Sequence, residues 1–109
     1  MRMRDVWAVD FDGTLCKNAW PDIGEANEPL IEQLILARNS GIAVVLWSCR
    51  EGEALARAVL WCAQFGLYFD AVNRNVPERT ALYGQDSRKV SADVYIDDRA
   101  QLPELPWGG

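Results

Sequence analysis

The chain has 109 residues, half of them hydrophobic, a formal net charge of −5 and no histidine. That length suits one domain (residues 1–109), and that hydrophobic share argues against a disordered chain. The acidic balance argues against a general nucleic-acid binder, which would carry a basic face, and no apolar run approaches membrane length.

The elements alternate strand and helix. Residues 6–9, VWAV, predict a buried strand that ends on Asp10-Phe11-Asp12-Gly13-Thr14. Residues 16–26 predict a loop, broken by Pro21 and Gly24. A helix follows, with Asn27 as cap, Pro29 in the first turn, one stripe of Leu30, Ile31, Leu34 and Ile35, and Gly41 as stop. Residues 42–47 predict a second strand, apolar on both faces as in a covered parallel sheet, ending on Ser48-Cys49-Arg50. Residues 51–65 predict a helix with Leu55, Ala58, Val59, Cys62 and Phe65 inward and Gly66 as stop. A short third strand is predicted over 69–72, then loop with one short helix over 73–91. A fourth strand over 94–96 ends on Asp97-Asp98-Arg99, and the tail LPELPWGG predicts irregular chain. This alternation implies right-handed βαβ units and a single-domain, Rossmann-like, doubly wound parallel sheet of α/β class.

The absence of histidine removes Ser-His-Asp and Cys-His catalysis and His-ligated zinc. No cysteine is followed six positions later by arginine, and neither lysine, Lys17 or Lys89, follows glycine. The cysteine phosphatase loop and the Walker A loop are therefore both missing. Cys16, Cys49 and Cys62 are odd in number and form no CxxC pair, which predicts a reduced, intracellular setting. With no apolar signal core at the start, a soluble cytoplasmic protein without membrane attachment is expected.

If the strands are parallel, three polar tips share one edge, beyond which open α/β sheets bind ligands. Two unit charges about 4 Å apart repel by roughly 4 kcal/mol at an effective dielectric near 20. Several such pairs would rival a domain's whole stability of about 5–15 kcal/mol. The acidic cluster therefore calls for a cation or for protonation. All-oxygen ligands favour a hard ion, and Mg²⁺ suits few carboxylates completed by water and phosphate.

These residues resemble the haloacid dehalogenase (HAD) superfamily of phosphatases. DxD after a hydrophobic strand matches Asp10-Phe11-Asp12-Gly13-Thr14, and the strand-terminal Ser/Thr matches Ser48. The lysine matches Lys89, and the final acidic pair matches Asp97-Asp98. LWSCREGE and RKVSADVYIDDR further resemble a group of very small hydrolases in that superfamily. The resemblance implies that Asp10 attacks phosphorus and that Asp12 handles the protons. It implies Mg²⁺ on Asp10, the Asp12 carbonyl and Asp97, with Asp98 touching the ion or supporting it. Lys89 would offset negative charge and Ser48 would donate to a phosphoryl oxygen. Gly13, Thr14, Cys49 and Arg50 complete the expected substrate-binding set.

Some readings stay open at this level. Ser48-x-x-Glu51 also fits a capping box, and both roles can coexist at a helix N-terminus. Arg50 either binds phosphate or pairs with an acidic neighbour. Trp20 either closes over a ligand or packs on the surface. Asn73, Arg74 and Asn75 read as plain loop, and Cys16 and Cys49 as small packing residues. The intervals Thr14–Ser48 and Ser48–Lys89 are consumed by the core's own elements, so no cap domain is expected. The open site then fits a large phosphorylated substrate or a homo-oligomer that roofs it, and nucleic acid is not an expected partner. Transfer to an acceptor other than water would use the same intermediate, and a non-catalytic phosphate-binding or scaffold protein would use the same fold. A receiver-like domain shares the residue types but not their order along the chain.

Overall fold

The computed structural model describes residues 4–79 and 91–97. Four strands, β1 (Val6–Val9), β4 (Ala43–Leu46), β5 (Ala71–Val72) and β6 (Val94–Ile96), form one parallel sheet in the order β5-β4-β1-β6. Between β1 and β4 come a two-stranded antiparallel hairpin, β2 (Cys16–Ala19) and β3 (Asp22–Ala26), and helix α1 (Glu28–Asn39). Helix α2 (Gly52–Gln64) joins β4 to β5. This is an α/β fold with a Rossmann-like sheet, as the strand–helix alternation predicts.

The central strands β1 and β4 are buried on both sides because their side chains alternate between two apolar layers. Trp7, Val9, Val44 and Leu46 face a larger core with Leu30, Ile31 and Leu34 of α1 and Ala58 and Cys62 of α2. Val6, Ala8, Ala43 and Val45 face a smaller one with Ala71 and Val76. Both long helices thus cover the same face. The steps β1→β4→β5 run in one direction, so right-handed crossovers place both helices on one side. The connection from β5 back to β6 reverses direction, and its Val76 is buried on the opposite face.

Each helix ends as its glycine predicts. Gly41 and Gly66 take φ +97° and +86°. Ile42 N donates to Ala37 O and Gly41 N to Arg38 O, while Leu67 N donates to Cys62 O and Gly66 N to Ala63 O. These are paired Schellman closures, in which a left-handed residue returns orphan carbonyls to the chain. At the amino edge of the sheet, Asp93 accepts from Val6 N at 2.7 Å and Asp70 from Val44 N at 2.8 Å. Arg79 pairs with Asp93, and Arg4 and Arg38 with Asp70. These aspartates anchor the start of the strands, away from the tips.

The hairpin is a correction to the loop expected over 16–26. Only Cys16 of β2 is buried, and β3 has no buried residue. The segment therefore lacks the apolar alternation that announces a strand, and main-chain pairing alone defines it. A Cβ at Gly24 would overlap the Lys17 carbonyl across the hairpin. Gly24→Ala is expected to cost about 1–3 kcal/mol, as overpacking does, read as a lower urea midpoint. Strands β4 and β5 are also shorter than expected, since 42, 47, 69 and 70 lie outside the ladder.

Candidate active site at the carboxyl edge of the sheet

Three strand tips meet at one edge. Asp10 N donates to Ile96 O at 3.0 Å, joining the ends of β1 and β6, and Trp47 N donates to Val9 O at 2.9 Å, joining β1 and β4. The strand order reverses between β1 and β6, which is where open α/β sheets form their ligand crevice. A cleft of about 330 Å³ lies there, carrying Asp10, Ser48, Cys49 and Asp97 between walls that include Trp47 and Tyr95. One Asp10 oxygen, Oδ1, accepts from Phe11 N at 2.8 Å, which sets the carboxylate against the turn after β1.

Ser48 does not cap α2. Its Oγ accepts from Arg50 N at 3.0 Å, and the N-cap residue is Glu51, which makes no side-chain capping bond. The local turn competes successfully for the hydroxyl. A hydroxyl oxygen that accepts in this way keeps its own O–H for donation. The loop that carries it is held by a residue read from sequence as plain loop. Asn73, at φ +53°, accepts from Ser48 N through Oδ1 at 2.7 Å and donates through Nδ2 to Arg50 O at 3.4 Å. Its own N donates to Leu46 O at 2.8 Å. Asparagine tolerates the left-handed region, and its place after a strand is the one sequence signal of this clamp.

Arg50 is an internal cation, only 1% exposed. Its Nε and Nη2 donate to Asp12 Oδ2 and Oδ1, both at 2.8 Å. Nη2 also reaches Asp22 O at 2.9 Å, and Nη1 reaches Ala54 O at 3.4 Å and Pro21 O at 3.5 Å. All five guanidinium N–H groups are therefore engaged. The guanidinium lies 5.0 Å from the Phe11 ring centroid and 4.9 Å from that of Trp20. Hydrogen bonding to Asp12 raises the Arg50 pKa above its ordinary value, against the lowering effect of burial. Of the two roles open for Arg50 in the sequence, the structure has the acidic pairing, and no donor is left over for a phosphate.

The expected site residues therefore divide. Asp10, Ser48, Cys49 and Asp97 share the cleft. The Asp12 side chain turns instead to Arg50 and borders a neighbouring hollow of about 240 Å³ with Asn18, Trp20 and Cys49. Gly13 and Thr14 border a third hollow with Lys17, Glu25 and Asn27. The Thr14 hydroxyl is buried without a hydrogen-bond partner among the described residues. Lys89 and Asp98 lie outside the described residues. Cys62 is buried, and desolvation pushes its thiol up to about 12; burial raises Cys16 as well. Both are packing residues, whereas Cys49 is exposed beside Ser48.

Mg²⁺ is commonly held by one or two carboxylates together with water and phosphate. The pair Asp10 and Asp97 on one cleft fits that demand. Among the described residues no group of three or more acidic, histidine or cysteine side chains is arranged to hold an ion. No described helix is long and apolar enough to cross a membrane.

A solved structure similar to this one is that of a conserved protein from Bacteroides thetaiotaomicron. The two are 42% identical, the match covers 90% of this chain and 78% of that one, and the TM-score is 0.78. No protein-family model matches the chain, and no curated protein matches it.

Proposed function

The chain belongs to the family of that conserved Bacteroides thetaiotaomicron protein, and on this shared α/β frame we propose that it is a Mg²⁺-dependent phosphatase with a capless HAD core. The observation that carries the reading is the meeting of Asp10, Ser48 and Asp97, from the tips of three different strands, in one cleft.

In this reading an Asp10 carboxylate oxygen attacks phosphorus. As that P–O bond forms, the bond to the leaving group breaks, and the leaving oxygen takes the electron pair and a proton from Asp12. Water then attacks the aspartyl-phosphate and gives its proton to Asp12, releasing phosphate and restoring the Asp10 carboxylate. Both Asp12 oxygens accept from Arg50, so one of them must first leave the guanidinium and take up a proton from solvent; water's proton restores that protonated form at the end of each turnover. Ser48 donates its hydroxyl proton to a phosphoryl oxygen, and Asn73 keeps that hydroxyl in place through the backbone of its loop. Asp10, the Asp12 carbonyl and Asp97 would hold Mg²⁺, with Asp98 in support, and Lys89 would neutralise charge. The ion, when bound, supplies Lewis-acid stabilisation of the phosphoryl oxygens.

A screen of phosphorylated metabolites with Mg²⁺ tests the activity. EDTA is expected to abolish hydrolysis and excess Mg²⁺ to restore it; activity that survives EDTA would remove the ion from the mechanism.

A further inference from the structure

We infer that the hollow beside the cleft, walled by Trp20, is the subsite for the leaving group, and that it takes a flat, uncharged aromatic or heteroaromatic ring. The inference rests on the phosphatase reading and adds the substrate class. Cys49 borders both the Asp10 cleft and this hollow, so the two are adjoining spaces. The hollow is also where Asp12 sits, and Asp12 is the group that must reach the leaving oxygen. A phosphoryl group set on Asp10 therefore directs its departing half into this space.

The walls say what that half is. Trp20, at the turn between β2 and β3, is 58% exposed. The Arg50 guanidinium packs against the indole, 4.9 Å from its centroid, and fixes its position while leaving much of the ring surface to solvent. An exposed indole held in this way is a stacking platform, because aromatic faces attract other flat rings. Asn18 adds an amide for polar edges. Among the described residues that line the hollow the cation is Arg50, whose donors are all engaged, while Arg57 donates through Nη2 to Pro21 O at 3.3 Å and Lys17 pairs with Glu25 at 3.2 Å. Esters whose alcohol half carries further phosphates are thereby disfavoured. At about 240 Å³ the space suits a single ring system.

The test compares p-nitrophenyl phosphate, a nucleoside 5′-monophosphate and glycerol 2-phosphate on wild type, Trp20→Ala, Trp20→Phe and Asp10→Asn. The readout is kcat/KM for each ring ester divided by that for glycerol 2-phosphate. Normalising each variant to wild type removes the intrinsic reactivity of the esters. Trp20→Ala is expected to lower the ratio about five- to tenfold through KM, the scale of a lost stacking contact. Trp20→Phe is expected to keep most of it. A loss confined to the nitrophenyl ester or to the nucleotide identifies which ring source fits. An unchanged ratio in Trp20→Ala, with hydrolysis still dependent on Asp10, overturns the subsite and leaves the phosphatase standing. No Asp10-dependent hydrolysis of any of the three removes both. Should Trp20→Ala not fold, competitive inhibition of the wild type by free nucleoside but not by glycerol decides the same point, and its absence overturns the subsite.

Discussion

Asp10→Asn is expected to abolish phosphate-ester hydrolysis, by at least about 10⁴-fold in kcat, while the protein stays folded. A neutral amide is a far weaker nucleophile than a carboxylate, and losing the nucleophile removes the covalent route altogether. The change is nearly isosteric. The Asn carbonyl can still accept the 2.8 Å bond from Phe11 N that anchors the side chain to the turn. Stability should therefore shift by no more than about 1 kcal/mol, the net worth of one hydrogen bond. The same replacement removes a negative charge from a cleft shared with Asp97. Activity and urea denaturation measured on the same preparation separate the two effects. A variant that keeps a tenth of the wild-type rate would exclude Asp10 as the nucleophile.

Arg50→Ala is expected to be the most destabilising single change near the site, at about 3–5 kcal/mol, the usual cost of breaking a buried ion pair from one side. Arg50 is 1% exposed and its Asp12 partner 22%. The guanidinium ties together the turn after β1, the hairpin and the first turn of α2 through Asp12, Pro21, Asp22 and Ala54. Removing it takes the guanidinium from the Asp12 carboxylate and from the Asp22 and Ala54 carbonyls, leaves Pro21 O with Arg57 alone, and strips the covering from the Phe11 and Trp20 rings. For a domain this size the loss should lower Tm by at least about 10 °C. Arg50→Lys keeps the charge but not the planar fork, and should fall between. The double variant Asp12→Leu/Arg50→Met is expected to cost less than the sum of its single changes, because neither charge is stranded. A cost below about 1 kcal/mol for Arg50→Ala would mean that the pair is mere surface decoration.

Asp10, Ser48 and Asp97 were readable in the sequence because each closes an apolar run that carries β1, β4 or β6. The helices were equally plain, since Leu30, Ile31 and Leu34 share one stripe of α1 and a glycine follows each helix. Such signals are local, lying within a few residues along the chain. The hairpin was hidden because its exposed strands carry no apolar period, and cross-strand bonds that define it leave no trace in composition.

What the sequence determined by itself was the set of strand tips: apolar runs dictate strands, and right-handed crossovers leave a parallel sheet with one carboxyl edge. What only the tertiary structure decided was the division of labour among the polar residues at that edge. Arg50 meets Asp12 across 38 positions of sequence and Asn73 meets Ser48 across 25. Those choices depend on which donors and acceptors folding buries side by side. Asp12 turns from the cleft to Arg50 because a guanidinium enclosed by the hairpin must find a carboxylate, and that demand arises only once the chain has closed around it.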